Sequence, residues 1–115
     1  MDKILELEKS LFKYEYMSNN EYLNNIIDDN YKELGKSGIL FNKDDVVNYL
    51  LSQQRDRNIE IYNFSGEELA PNLWIVHYIT LSDDKKIYRT SIWKDNRIIF
   101  HQASVLSDNT ELIRN

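Results

Sequence analysis

The sequence predicts an α+β domain in which three helices precede an antiparallel sheet. Two observations carry this. Apolar residues recur at helical spacing up to about residue 54, and from Asn58 onward the period changes to two. The connections between the later segments are also short, as hairpins require.

In the first helix, Ile4, Leu7, Leu11 and Tyr14 follow a 3-4-3 spacing, with Leu5 and Phe12 beside them. The pattern predicts one helix from about Asp2 to Tyr16, with Lys3, Glu6, Lys9 and Lys13 facing away from the apolar stripe. Ser18-Asn19-Asn20-Glu21 has the form of a capping box, so Ser18 is expected to cap a short second helix bearing Tyr22, Leu23, Ile26 and Ile27. A short strand follows from Asn30 to Leu34, stopped by Gly35 and the Lys36-Ser37-Gly38 turn. Asn42 reads as the N-cap of a third helix, with Asp44 and Asp45 in the first turn and Val46, Val47, Leu50 and Leu51 on the buried face, ending near Gln54.

Four β-rich segments come next: 59–69, 73–82, 86–94 and 97–105. Ala70-Pro71-Asn72, Ser82-Asp83-Asp84-Lys85 and Asp95-Asn96 separate them, and Asp and Asn tolerate the positive φ of tight hairpin turns. A four-strand antiparallel meander is therefore expected. Trp74, Val76 and Tyr78 alternate with Ile75 and Ile79, so this strand is apolar on both faces and its second face is expected to be covered by a partner subunit or by the sheet's own curl; a homodimer is the expectation. Residues 1–106 make one domain and the polar stretch 107–115 a loose tail.

Composition narrows the function. Of 115 residues 42% are hydrophobic and 29% charged, which suits one folded globular unit. With 14 Lys+Arg against 19 Asp+Glu the net charge is −5, and the positive field that drives phosphate-backbone binding is missing, so no nucleic-acid partner is expected. There is no cysteine, which removes disulfides, thiolate nucleophiles and Cys-based metal sites and fits a cytoplasmic protein. No apolar run approaches the roughly 20 residues of a membrane span, and the first residues lack a signal-peptide apolar core. No cofactor motif is present, and no ligand spacing announces a metal.

Particular residues point further. Asp28-Asp29-Asn30-Tyr31-Lys32-Glu33-Leu34-Gly35-Lys36-Ser37-Gly38, Arg89-Thr90-Ser91-Ile92-Trp93 and Phe100-His101-Gln102-Ala103-Ser104 resemble the DUF4440, SnoaL-like group of the nuclear-transport-factor-2-like (NTF2-like) superfamily. The likeness covers roughly residues 2 to 105. The chain departs from the group at Asn30 and Asn96, positions where an aromatic is common. The resemblance implies a cone, a strongly curved antiparallel sheet wrapped around three helices with a pocket between them, and a homodimer through the sheet. It does not fix an activity.

Arg89, Ser91 and Trp93 alternate and so share a face; the same period groups His101 with Ile99 and Ala103, and Gln102 with Phe100 and Ile98. Arg89, Ser91, Trp93, His101 and Gln102 are the candidate contacts for a small organic or anionic ligand. His101 and His77 are the candidate catalytic bases, because imidazole titrates near neutral pH. The strands 73–82, 86–94 and 97–105 contain no Asp or Glu. A pocket carboxylate is therefore expected from Asp28, Asp29, Glu33 or the Glu60 strand. Three functions remain open: a dimeric ligand-binding domain, a His-dependent isomerase or lyase, and a protein-interaction module such as an adaptor or toxin-neutralising partner docking through its acidic surface.

Overall fold

The computed structural model describes residues 2–107 and 109–114; Met1, Asp108 and Asn115, which fall at the ends and in the expected tail, lie outside the described residues. The first apolar stripe does not form a single helix. It breaks into α1 (Asp2–Ser10) and α2 (Tyr14–Met17). Ser10 Oγ donates to Leu7 O at 2.6 Å, the amides of Leu11, Phe12 and Lys13 tighten to i−3 carbonyls, and Lys13 is extended. Asp56, from a distant loop, then accepts the Tyr14 amide at 2.7 Å and caps the new start.

α3 (Asn20–Ile26) starts one residue later than the capping-box reading places it. Ser18 is the helical C-cap of α2, its amide already bonded to Tyr14 O, so the extended Asn19 is the N-cap and its side chain accepts from the Tyr22 amide at 3.0 Å. β1 (Ile27–Leu34) follows without a loop, taking Ile27 out of the helix. A short strand, β2 (Leu40–Asn42), returns antiparallel to β1 through the Gly35–Gly38 turn. Gly35 is needed there, since a Cβ would lie 2.9 Å from the Phe41 ring. Asn42 caps α4 (Lys43–Leu51) as the sequence indicates, in a capping box completed by Asp45. The helix stops short of Gln54.

β3 (Tyr62–Ala70), β4 (Leu73–Ser82), β5 (Lys85–Lys94) and β6 (Arg97–Leu106) form the expected meander, with positive φ at Asp83, Asp84, Asp95 and Asn96 in the two tight turns. The sheet is larger than that meander and is mixed. Its order is β2-β1-β6-β5-β4-β3, and β1 runs parallel to β6, pairing Ile27 with Ile98 and Glu33 with His101. Register shifts in β1, at both ends of β3 and at Ile92/Trp93 bend it. The helices fill the inner face, where Ile4, Met17, Leu23, Ile26, Val47 and Leu50 meet Val76, Trp93 and Ile98. Phe12, released by the break after α1, packs instead with Ile61 and Tyr78.

The shift at Ile92/Trp93 also resets parity in β6. Ile98 pairs with Trp93 and is buried, whereas Phe100 pairs with Ile92, so Ile98 does not share a face with Gln102. Among the described residues after Leu106, Thr110, Glu111 and Ile113 bond back to the sheet. Asn63, at φ 55°, donates its amide to Ile113 O and its side-chain Nδ2 to Glu111 O, while its Oδ1 accepts from the Ile113 amide. Lys86 also donates to Thr110 O.

The capping assignment has a direct consequence. Asn19→Ala should cost about 1 kcal/mol of unfolding free energy. Ser18→Ala should stay within about 0.5 kcal/mol, since its side chain caps no helix. Urea titration of the two variants checks the difference.

Candidate functional site

Between the helices and the inner face of the sheet lies a cavity of about 730 Å³. Its apolar lining comes from Leu11 and Phe12 in the turn after α1, Phe41 from β2, Val46 and Tyr49 from α4 and Ile98 from β6, with Lys36, Asp45 and Asn48 also on its wall. Its floor is polar. Glu8, Tyr31, Glu33, Tyr78, Arg89 and His101 all reach it, and Arg57 enters from the loop before β3.

The alternation of β5 and β6 supplies the centre of this floor. Ser91 pairs with His101 and Arg89 with Ala103, so Arg89, Ser91 and His101 share the inner face. Arg89 Nε donates to Thr80 Oγ1 at 2.8 Å and its Nη1 to His101 Nε2 at 3.3 Å. The other imidazole nitrogen, Nδ1, lies 2.7 Å from Ser91 Oγ. Both ring nitrogens are therefore engaged. Burial, reinforced by the positive charges of Arg89 and Arg57, pushes His101 from the usual 6.5 down to about 3, so the ring is neutral at physiological pH.

The carboxylate of the floor comes from a position that strand-by-strand reading does not reach. Glu8, on α1, is 2% exposed. Its Oε1 accepts from Tyr78 Oη at 2.6 Å and its Oε2 from Trp93 Nε1 at 2.8 Å. Burial raises its pKa, opposed by the neighbouring Ser91 hydroxyl, by the hydrogen bonds from Tyr78 and Trp93 and by the Arg89 charge. A signal for Glu8 exists in the sequence: it follows Ile4 by four and precedes Leu11 and Phe12 by three and four, which places it on the buried stripe. Tyr78 and Tyr31 are likewise buried, and burial followed by adjacent carboxylate charge holds both phenols well above their ordinary range. Tyr31 donates to Glu33 at 2.5 Å.

Of the carboxylates the sequence suggested, Glu33 lines the cavity and the others do not. Asp28 and Asp29 meet Arg97 and Lys43, and Glu60 meets Tyr62 and Arg114. Among the proposed contacts, Arg89 and His101 line the cavity, while Ser91 and Trp93 are fully buried behind it. Gln102 is exposed and pairs with Thr90, on the face away from His101. His77 is on that outer face too, bonded to Thr90 Oγ1 at 2.8 Å and stacked on Tyr88, so the two histidines do not meet. Among the described residues no three His, Asp or Glu side chains converge to hold a metal ion.

Arg57 escapes sequence reasoning because its loop has no periodicity. Its guanidinium lies over the rings of Phe12 at 5.1 Å and Tyr49 at 5.5 Å, and its amide bonds Phe12 O. Among the described residues neither Arg57 nor Arg89 has a carboxylate within ion-pair distance.

No family model and no curated protein sequence matches the chain. Solved structures do. An NTF2-like protein of unknown function from Prochlorococcus superposes with a TM-score of 0.70 at 19% identity, over 93% of this chain and 94% of that one. A Rhodospirillum rubrum NTF2-like protein, described as of unknown function in nutrient uptake, gives 0.69 at 12% identity over 90% and 98%. A DUF3225 protein of unknown function from Pectobacterium atrosepticum gives 0.68 at 14% identity over 92% and 87%. The fold is the α+β NTF2-like fold.

The buried imidazole makes stability depend on pH with a defined sign. Above 6.5 neither state binds the proton. Between 6.5 and about 3 the unfolded chain takes it and the native state does not, so this contribution to stability is lost as the pH falls through that window. Glu8 acts oppositely, because its raised native pKa makes the folded state the better proton binder just above 4.5. His101→Gln should therefore flatten the acid limb of stability against pH between 6.5 and about 3, measured by urea unfolding across that range.

Proposed function

We propose that this NTF2-like chain is a binding domain that takes a small organic anion, an aromatic or branched carboxylate, into the cavity between helices and sheet, and that it works as a homodimer. One observation carries the ligand reading: Arg89 presents a guanidinium on the floor of an open cavity, held by the neutral acceptors Thr80 and His101 and by no carboxylate within ion-pair distance among the described residues. A half-buried cation of this kind is completed by an anion, and the apolar walls suit a hydrophobic body attached to it. Arg57 adds a second cation to the same cavity.

His101 supports binding over a His-dependent isomerase or lyase. Both its nitrogens are committed within the protein, and its low pKa makes it a poor proton acceptor near neutrality. An open cavity also favours a ligand over a pure interaction module, whose interior would be filled by side chains. The homodimer is supported by the outer sheet face, where Ile75, Ile92 and Phe100 form one row across β4, β5 and β6 and none is fully buried. Assignment to the DUF4440 group rests on its three motif stretches, which fall on the neighbouring strands β1, β6 and β5. The absence of cysteine suits a cytoplasmic protein, and no helix among the described residues is long and apolar enough to cross a membrane.

Benzoate, a minimal aromatic carboxylate, should raise the melting temperature at neutral pH, because a ligand that binds only the native state stabilises it by mass action. Arg89→Ala should abolish the shift and His77→Ala should leave it intact. An unchanged shift in Arg89→Ala contradicts the assignment. Light scattering of the unaltered chain should give about twice 13.8 kDa; a monomer removes the partner.

A further inference from the structure

We propose, resting on the anion-binding reading, that the cavity takes a dicarboxylate, with one carboxylate on Arg89, the other on Arg57 and an apolar chain between them. The observation that carries this is the state of Arg57. Its amide bonds Phe12 O at 2.9 Å, and its guanidinium lies over the Phe12 ring at 5.1 Å and the Tyr49 ring at 5.5 Å. Rings attract the charge but offer no oxygen to its five N–H groups. Among the described residues the Arg57 side chain donates no hydrogen bond, and no fully buried side-chain nitrogen lacks a partner. The N–H groups of this half-buried residue are therefore reachable from solvent or from the cavity it lines. Arg89 commits Nε to Thr80 and Nη1 to His101, which leaves its Nη2 edge for a ligand.

The acids that line the same cavity are answered elsewhere. Glu8 accepts from Tyr78 and Trp93, Glu33 from Tyr31, and Asp45 from the Asn42 amide in the capping box. Among the described residues none of them lies within ion-pair distance of either arginine. Lys36, the third cation on the wall, donates to Ser82 Oγ at 3.1 Å. Both guanidinium groups border one set of rings: Arg57 covers Phe12, Phe12 packs with Tyr78, and Tyr78 pairs with Arg89 across β4 and β5. Burial draws the Arg57 guanidinium below its usual value; Tyr49 opposes this and the Arg89 charge adds to it. Two like charges that repel in one cavity are both relieved by a dianion, whereas a single carboxylate serves one of them. Joining the two carboxylates also makes the second contact intramolecular. Leu11, Phe12 and Ile98 supply apolar surface for the joining chain, and about 730 Å³ gives it room.

The test is isothermal titration calorimetry of the full chain at neutral pH with the straight-chain α,ω-dicarboxylates from succinate to sebacate, each beside its monomethyl ester. Affinity should peak at one chain length, and there the diacid should bind about tenfold more tightly than its ester, the gain of one charge-assisted contact. R57Q should bring that ratio to about one. The ratio in the unaltered protein needs no variant, so the proposal can be tested even if R57Q does not fold. Diacids no tighter than their esters, a gain of equal size at every chain length, or an undiminished ratio in R57Q each overturns the dicarboxylate. The first of these results, with the esters still bound, overturns it without touching the anion reading. Binding of neither esters, diacids nor benzoate overturns the anion reading itself, and the dicarboxylate with it.

Discussion

A carboxyl group on the buried side of a helix costs several kcal/mol unless donors meet it. Glu8 imposes that requirement on this fold. Its donors come from two strands of the sheet, Tyr78 on β4 and Trp93 on β5, 70 and 85 residues away along the chain. The pair of bonds fixes where α1 lies against the sheet, orients two of the largest buried side chains, and confines the dry core to one side of α1. Ile4, Leu23 and Trp93 then pack as an ordinary interior. Removing either partner would leave a buried polar group unmatched, so the three side chains act as a unit.

The cavity follows from the same constraint. Helix α1 ends two residues after Glu8, and Phe12 departs to join Ile61 and Tyr78. With the chain turned aside, Tyr31, Glu33, Tyr78, Arg89 and His101 line the floor. It stays open, faced by a wall of hydrophobic groups. Among the described residues neither Arg57 nor Arg89, both lining this cavity, has a carboxylate within ion-pair distance.

Much of this is legible in the sequence. Strands β4 to β6 were readable because alternation is a local signal and because Asp83-Asp84 and Asp95-Asn96 tolerate the positive φ their turns use. The shared face of Arg89, Ser91 and Trp93 followed from the same period, and the β5–β6 register brings His101 onto it. Pairing of β1 with β6 was not readable, since a parallel neighbour nearly 70 residues distant leaves no local mark, and with it went the mixed character of the sheet. The break after Ser10 depends on a side chain bonding its own helix and on Asp56 arriving from elsewhere, so periodicity alone continued the helix. The bulge in β6 changed which residues share a face, and only an observed register reveals it. Glu8 is the instructive miss. The residue stood on the apolar stripe all along, but a charged side chain there is usually discounted, and its meaning lies in donors supplied by the sheet.

The claim at the centre of this account is that a small carboxylate sits on Arg89 above the Glu8 network, with its hydrophobic body against the apolar walls. A crystal structure with 4-bromobenzoate measures this most directly, because the anomalous signal of bromine locates the body independently of the surrounding density. The account places the carboxylate on the free edge of the Arg89 guanidinium and the bromine against Phe12, Phe41 or Tyr49. A cavity without ligand at saturating concentration, or a bromine outside it with Arg89 unchanged, would contradict the account.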